Sequence, residues 1–99
     1  MEFVKDGVIY NTETSTKIGG PIEGQIPLVF DGFDVSEVSY ETLYLSKNKQ
    51  YYILITRDRL HRQPTDVEVF SKDMAFRWAT RNLSVDTVKK HFSDMIREG

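Results

Sequence analysis

The chain has 99 residues, 39% of them hydrophobic and 28% charged, with a net charge of −2 and no cysteine. That is one globular domain with a modest core, too small for a deep cleft between two lobes and too apolar for a disordered chain. The lack of cysteine excludes disulfides, thiolate metal sites and cysteine nucleophiles, and in a domain without such staples it points to an intracellular, cytoplasmic setting.

Met1-Glu2-Phe3-Val4-Lys5-Asp6 has no basic start followed by an apolar run, so it does not read as a signal peptide, and the longest apolar stretch, Tyr51 to Ile55, is far short of a membrane span. Charge is unevenly spread. Residues 1–46 hold eight acidic and two basic side chains, 47–63 hold five basic and one acidic, and 64–99 hold six of each. Such asymmetry bears on partners, not on fold.

The first third reads as short strands and turns. Asp6-Gly7 lies between Phe3-Val4 and Val8-Ile9-Tyr10, and Asp31-Gly32 between Val29-Phe30 and Phe33. Asp-Gly between apolar pairs is a two-residue hairpin signal, because glycine accepts positive φ. Asn11 to Thr14 reads as a capped turn. Gly19-Gly20-Pro21 is expected to break the strand that contains Ile18, and Pro27 holds Ile26 extended.

Tyr40 to Ser46 and Tyr51 to Thr56 form the arms of the clearest hairpin, joined by Lys47-Asn48-Lys49-Gln50. Leu43 and Leu45 share one face of the first arm, with Tyr40, Thr42 and Tyr44 on the other. Apolar residues on both faces of the second arm predict a central strand. Asp66 to Phe70 alternates as a half-buried strand should.

Two helices follow. Ser71 and Ser84 are placed as N-caps, with Asp73 and Asp86 in the first turns. Met74, Ala75, Trp78 and Ala79 recur at helical spacing, and Val85, Val88, Phe92 and Ile96 make a second stripe. The short gap Asn82-Leu83-Ser84 predicts a sharp corner. The expectation is a single α+β domain over 1–99: an antiparallel meander of about four to five strands with both helices on one face. Its core is expected to be Leu43, Leu45, Ile53, Ile55, Val67, Val69, Trp78, Val88 and Phe92.

Three segments carry a resemblance: Tyr10-Asn11-Thr12-Glu13-Thr14 with Ile18, Glu41-Thr42-Leu43-Tyr44-Leu45 with Lys47 and Tyr51-Tyr52-Ile53-Leu54, and Ala75-Phe76-Arg77-Trp78-Ala79 with Leu83. Together they resemble a family of small uncharacterised one-domain proteins of bacteria, plasmids and phages. The family has no assigned activity. Its members usually have a glycine-rich stretch after the second hairpin arm, where this chain has Arg57 to Pro64. The resemblance implies a mobile-element accessory protein, or an inhibitor of a host or rival system.

Candidate contact residues fall in three groups. Arg57, Arg59, His61 and Arg62 lie within six residues, and Lys47 and Lys49 sit in the hairpin loop. They read either as contacts to phosphates or an acidic protein surface, with Tyr51 and Tyr52 as stacking platforms, or as solvated loop charge. Glu23, Asp31, Asp34, Glu37 and Glu41 read either as a phosphate-mimicking acidic surface or as ordinary solvated carboxylates. Phe76, with Thr80 and Leu83, marks a second face of the first helix and reads either as an anchor for a homodimer or partner, or as packing under the second helix. His61 and His91 have no metal-ligand spacing, Ser36, Ser39 and Ser46 have no triad context, and Gly19-Gly20 opens no phosphate loop. The expectation is a non-enzymatic interaction protein without metal or cofactor that binds a protein partner; the alternative is a nucleic-acid-binding module using the 57–62 loop.

Overall fold

Asp6 and Gly7 take φ of 52° and 78°, the pair of positive values that a two-residue type I′ turn requires. This turn joins β1 (Glu2–Lys5) to β2 (Val8–Asn11), which pair by themselves as a two-stranded sheet. The computed structural model describes residues 1–30, 33–57, 65–97 and 99, and for 25–30, 33–37, 57 and 65 it describes the backbone alone.

A four-stranded antiparallel meander follows, in the order β3 (Thr16–Phe30), β4 (Phe33–Leu45), β5 (Tyr51–Arg57), β6 (Thr65–Phe70). Pairing of Phe30 with Phe33 leaves only Asp31-Gly32 between the strands, as the hairpin signal required. Between β4 and β5 the chain turns through Ser46 to Gln50, closed by the Ser46 amide donating to the Gln50 carbonyl at 2.8 Å and the Gln50 amide to Ser46 Oγ at 3.0 Å. α1 (Lys72–Asn82) and α2 (Val85–Phe92) then cover one face of this sheet, and a 3₁₀ turn (Ser93–Met95) ends the helical part.

The meander and its helices match the expected architecture. The N-terminal hairpin does not belong to it: β1 and β2 lie on the opposite face as a separate layer. Tyr10 is buried there with Tyr52 and Val67, and Phe3, Tyr44, Leu54 and Val69 pack around them. The Tyr10 and Tyr52 rings tilt together at 5.0 Å, and Tyr52 stacks on Tyr44 at 5.3 Å. Burial pushes the Tyr52 hydroxyl above its usual range, against the opposing effect of its 2.7 Å hydrogen bond to Ser15 Oγ. Lys5 Nζ donates to the Val67 carbonyl at 2.6 Å, which ties the hairpin to edge strand β6 and occupies an acceptor there.

The helix-side core comprises Ile18, Leu43, Tyr51, Ile53, Ala75, Trp78, Ala79, Val88 and Phe92. The expected core changes in three ways. Leu45, Ile55 and Val69 are half-buried, Val67 and Val69 serve the hairpin side, and Ile18, Tyr51, Ala75 and Ala79 join the helix-side core; separately, Val85 is 70% exposed although it begins the apolar stripe of α2. Val85 is the first residue of its helix, one turn before the stripe reaches the sheet.

Gly19-Gly20-Pro21 does not break β3. The strand runs through, absorbing register shifts between Lys17 and Gly19 and between Gly19 and Ile22. β3 is an edge strand, so Pro21 and Pro27 remove no ladder donor from the sheet interior. Gly20 has φ of 114°, and a Cβ there would lie 2.6 Å from the Glu41 carbonyl oxygen and 2.9 Å from Thr42 Cα. Beyond the Ser39–Arg57 pair, β3 and β4 continue from Gln25–Val38 to Phe30–Phe33, pairing only with each other among the described residues.

Two stability outcomes follow from this packing. Trp78, 4% exposed, donates its indole N–H to the Glu41 carboxylate at 2.7 Å, so Trp78→Ala removes both core volume and a partly buried hydrogen bond. A loss of about 3–5 kcal/mol is expected in a denaturant melt, and a parent-like melt would remove Trp78 from the core. Gly20→Ala meets rigid backbone at a left-handed φ and should cost more than about 2 kcal/mol. Gly24→Ala, whose Cβ would meet only Ser39 Oγ at 3.7 Å, should stay within about 1 kcal/mol of the parent in the same melt.

Candidate functional site

Ser71 Oγ accepts from the Met74 amide at 3.1 Å and Ser84 Oγ from the Thr87 amide at 3.2 Å, so each helix begins at a serine cap. Leu83 closes α1 with its amide on the Ala79 carbonyl at 2.8 Å, and Asn82 Nδ2 donates to the Trp78 carbonyl at 2.9 Å. Only Leu83 and Ser84 separate the helices, which therefore meet at a corner. That corner is seated on the sheet through Gly19: a Cβ at this position would come within 2.5 Å of Leu83 Cδ2. Glycine is what lets the leucine reach the strand.

After Phe92 the helical stripe stops. The chain tightens into the 3₁₀ turn, fastened to the start of α1 by the Lys72–Asp94 ion pair. The exposed hydrogen bond between the two groups raises the Lys72 pKa and lowers that of Asp94. Met95 and Ile96 are thereby brought back beside α1 and α2. The result is an open groove of about 300 Å³, within reach of the smaller ligand sites of proteins. Its apolar lining is Phe76, Leu83, Val88, Met95 and Ile96, with Val85 at the mouth and Thr80 on the α1 side. Lys89 and Arg97 are its charged members among the described residues, and both are exposed.

The groove floor is continuous with the core. Phe76 is half-buried, its ring meeting Phe92 edge-on at 5.7 Å, and Phe92 in turn stacks on Tyr51 at 5.6 Å. Phe76 thus packs under α2 and also lines the groove. Of the other expected contacts, Lys47 and Lys49 are exposed in the β4–β5 turn, with Lys49 at φ 65°. Arg57 ends β5 at its far end, about 20 Å away at the rise of an extended strand. Arg59, His61 and Arg62 lie outside the described residues, as does the Arg57 side chain. Lys47 and Lys49 therefore sit at the opposite end of β5 from the Arg57 backbone. Tyr51 and Tyr52, expected as stacking platforms, are 9% and 0% exposed and cannot offer ring faces to a base.

The acidic series also divides. Glu23 is exposed, Glu41 is half-buried and engaged by Trp78, Asp31 lies outside the described residues, and Asp34 and Glu37 are described in backbone only. Among the described residues, no cluster of three or more His, Asp or Glu side chains is placed to hold a metal ion. No described helix is long and apolar enough to cross a membrane.

The separate parts of the groove were legible: Phe76, Thr80 and Leu83 as an odd face, Val88 and Ile96 on a stripe. Their convergence was not, because it depends on the turn after Phe92, which carries no glycine or proline signal. Matched against family models, curated proteins and solved structures, the chain finds no counterpart in any of the three.

His91 supplies a pH prediction for the element that builds one groove wall. Burial, and secondarily the adjacent Lys90, holds its pKa below the ordinary 6.5. The unfolded chain then takes up this proton more readily than the folded one. The associated stability is present above the unfolded value and is lost as pH falls through the folded one. Melts taken between about pH 7 and 5 should decline less steeply for His91→Gln than for the parent, and parallel declines would show that His91 does not contribute.

Proposed function

We propose that this chain is a non-catalytic protein-binding module that receives its partner at the helical corner. The observation that carries the reading is the open apolar groove walled by Phe76, Leu83, Val88, Met95 and Ile96, with Val85 left 70% exposed at its mouth. An apolar side chain at the start of a helix has ordinary polar substitutes. Here it stands beside a floor that continues into the core, the arrangement in which an incoming apolar side chain is fully desolvated. The resemblance of the hairpin and the tryptophan-bearing helix to small phage and plasmid proteins supports an accessory or inhibitory role, with a host complex as partner.

A nucleic-acid contact through residues 57–62 is the competing idea. The separation of Lys47 and Lys49 from Arg57 along β5 argues against one continuous basic track.

Val85→Glu tests the reading with little risk to the fold. The position is exposed, and a glutamate in the first turn suits the helix dipole. Wild-type, Val85→Glu and, as a remote control, Glu68→Gln proteins are used as nuclease-treated bait. A discrete protein complex retained by wild type and control, and reduced at least about tenfold by Val85→Glu, is the expected result. Equal retention by all three overturns it. A salt-sensitive gel shift that Arg59→Ala weakens and Val85→Glu leaves unchanged would transfer the contact to the basic connection.

A further inference from the structure

We infer that the groove at the helical corner takes a short amphipathic helix with acidic residues beside its apolar stripe, a partner chemistry that rests on the protein-binding reading above. The backbone decides between helix and strand. The walls are side chains of α1, α2 and the returning Met95-Ile96 segment, and the helical backbone groups between the caps are already engaged in their own helices. An extended peptide laid here would leave its amides and carbonyls unpaired against an apolar floor. A helix satisfies its backbone internally and presents only side chains, at the i, i+3, i+7 spacing that fills such grooves.

The volume sets how much of it enters. A space of about 300 Å³ takes a few apolar side chains rather than a whole second core, so a single stripe of a short helix suffices. Met95 suits such a site, because its unbranched thioether adapts to irregular partners.

Charge selects the class of helix. Among the described residues, Lys89 and Arg97 are the charged members of the groove lining, and both are exposed. The described ion pairs lie elsewhere: Lys72 with Asp94, Arg77 with Asp73 at 3.1 Å, and the N-terminal amine with Glu13 at 3.7 Å. Neither groove cation takes part in them. A basic helix would bring like charge to both, whereas an acidic one gains two attractive pairs at the rim.

Two labelled synthetic helices test this on the full chain by fluorescence anisotropy. They carry the same leucine stripe, flanked by glutamates in one and lysines in the other. The glutamate helix is expected to bind roughly tenfold tighter at low salt, with the preference shrinking as salt is added. Lys89→Glu/Arg97→Glu should reverse the preference, and Val85→Glu should weaken the glutamate helix, with circular dichroism melts confirming that both variants remain folded. If both peptides bind wild type equally and Val85→Glu weakens both, the acidic preference is overturned while the groove survives as a docking site. If neither binds, or if Val85→Glu changes nothing, helix docking in the groove is overturned. If light scattering shows a dimer that Val85→Glu dissociates, the occupant is a second copy of the chain, and the inference fails in that way.

Discussion

Burial of β5 on both faces is the constraint on which the remaining architecture depends. Ile53 is 1% exposed on the helix side and its neighbour Tyr52 is 0% exposed on the hairpin side. A four-stranded sheet cannot hide both faces of its own central strand. The chain supplies two covers, the α1–α2 pair over Leu43, Tyr51 and Ile53, and the β1–β2 hairpin over Tyr52 and Val67. A two-stranded hairpin is marginal alone. Here it is held by the Tyr10–Tyr52 contact, by the Lys5–Val67 hydrogen bond and by Ser15 at the Tyr52 hydroxyl. Each cover therefore depends on the same strand that needs it.

The link between fold and groove runs through β3. Two adjacent glycines serve different purposes there. Gly20 satisfies a left-handed φ beside the backbone of β4, and Gly19 leaves the space into which Leu83 inserts. Leu83 is one of the two residues between the helices, so its seat on the strand sets where the corner lies, and α2 and the 3₁₀ turn follow from that corner. The groove is thus fixed by packing at its base while its mouth, at Val85, Lys89 and Arg97, stays outside the core. A site built this way tolerates change at the rim without loss of the scaffold.

Signals confined to a few residues were readable in the sequence. Asp6-Gly7 adopted the turn its composition demanded, Ser71 and Ser84 capped the helices, and apolar residues on both faces of Tyr51 to Thr56 marked a central strand. What escaped involves residues distant in the chain. Glu41 looked like one more surface carboxylate, yet Trp78, 37 residues later, engages it. Gly19-Gly20-Pro21 has the composition of a break and forms an irregular edge strand, because edge position relieves proline of its donor. Tyr10 has ordinary strand character locally and becomes core only because the sheet's second face needs a cover. Val85 fits its stripe by periodicity and escapes burial because the stripe begins before the helix reaches the sheet.

Floor and rim of the groove would contribute differently to a complex. Phe76, Leu83, Val88 and Ile96 offer apolar surface whose burial would resist dissociation, so in the proposed complex they would govern how long the partner stays. Lys89 and Arg97 are solvated, and a pair formed by either is worth little once screened. In the proposed complex their effect would be on approach and on which partners are refused, because an unfavourable charge at the rim is met before any apolar contact forms. The chain's first 46 residues are rich in carboxylates, while the charged members of the groove among the described residues are the cations Lys89 and Arg97.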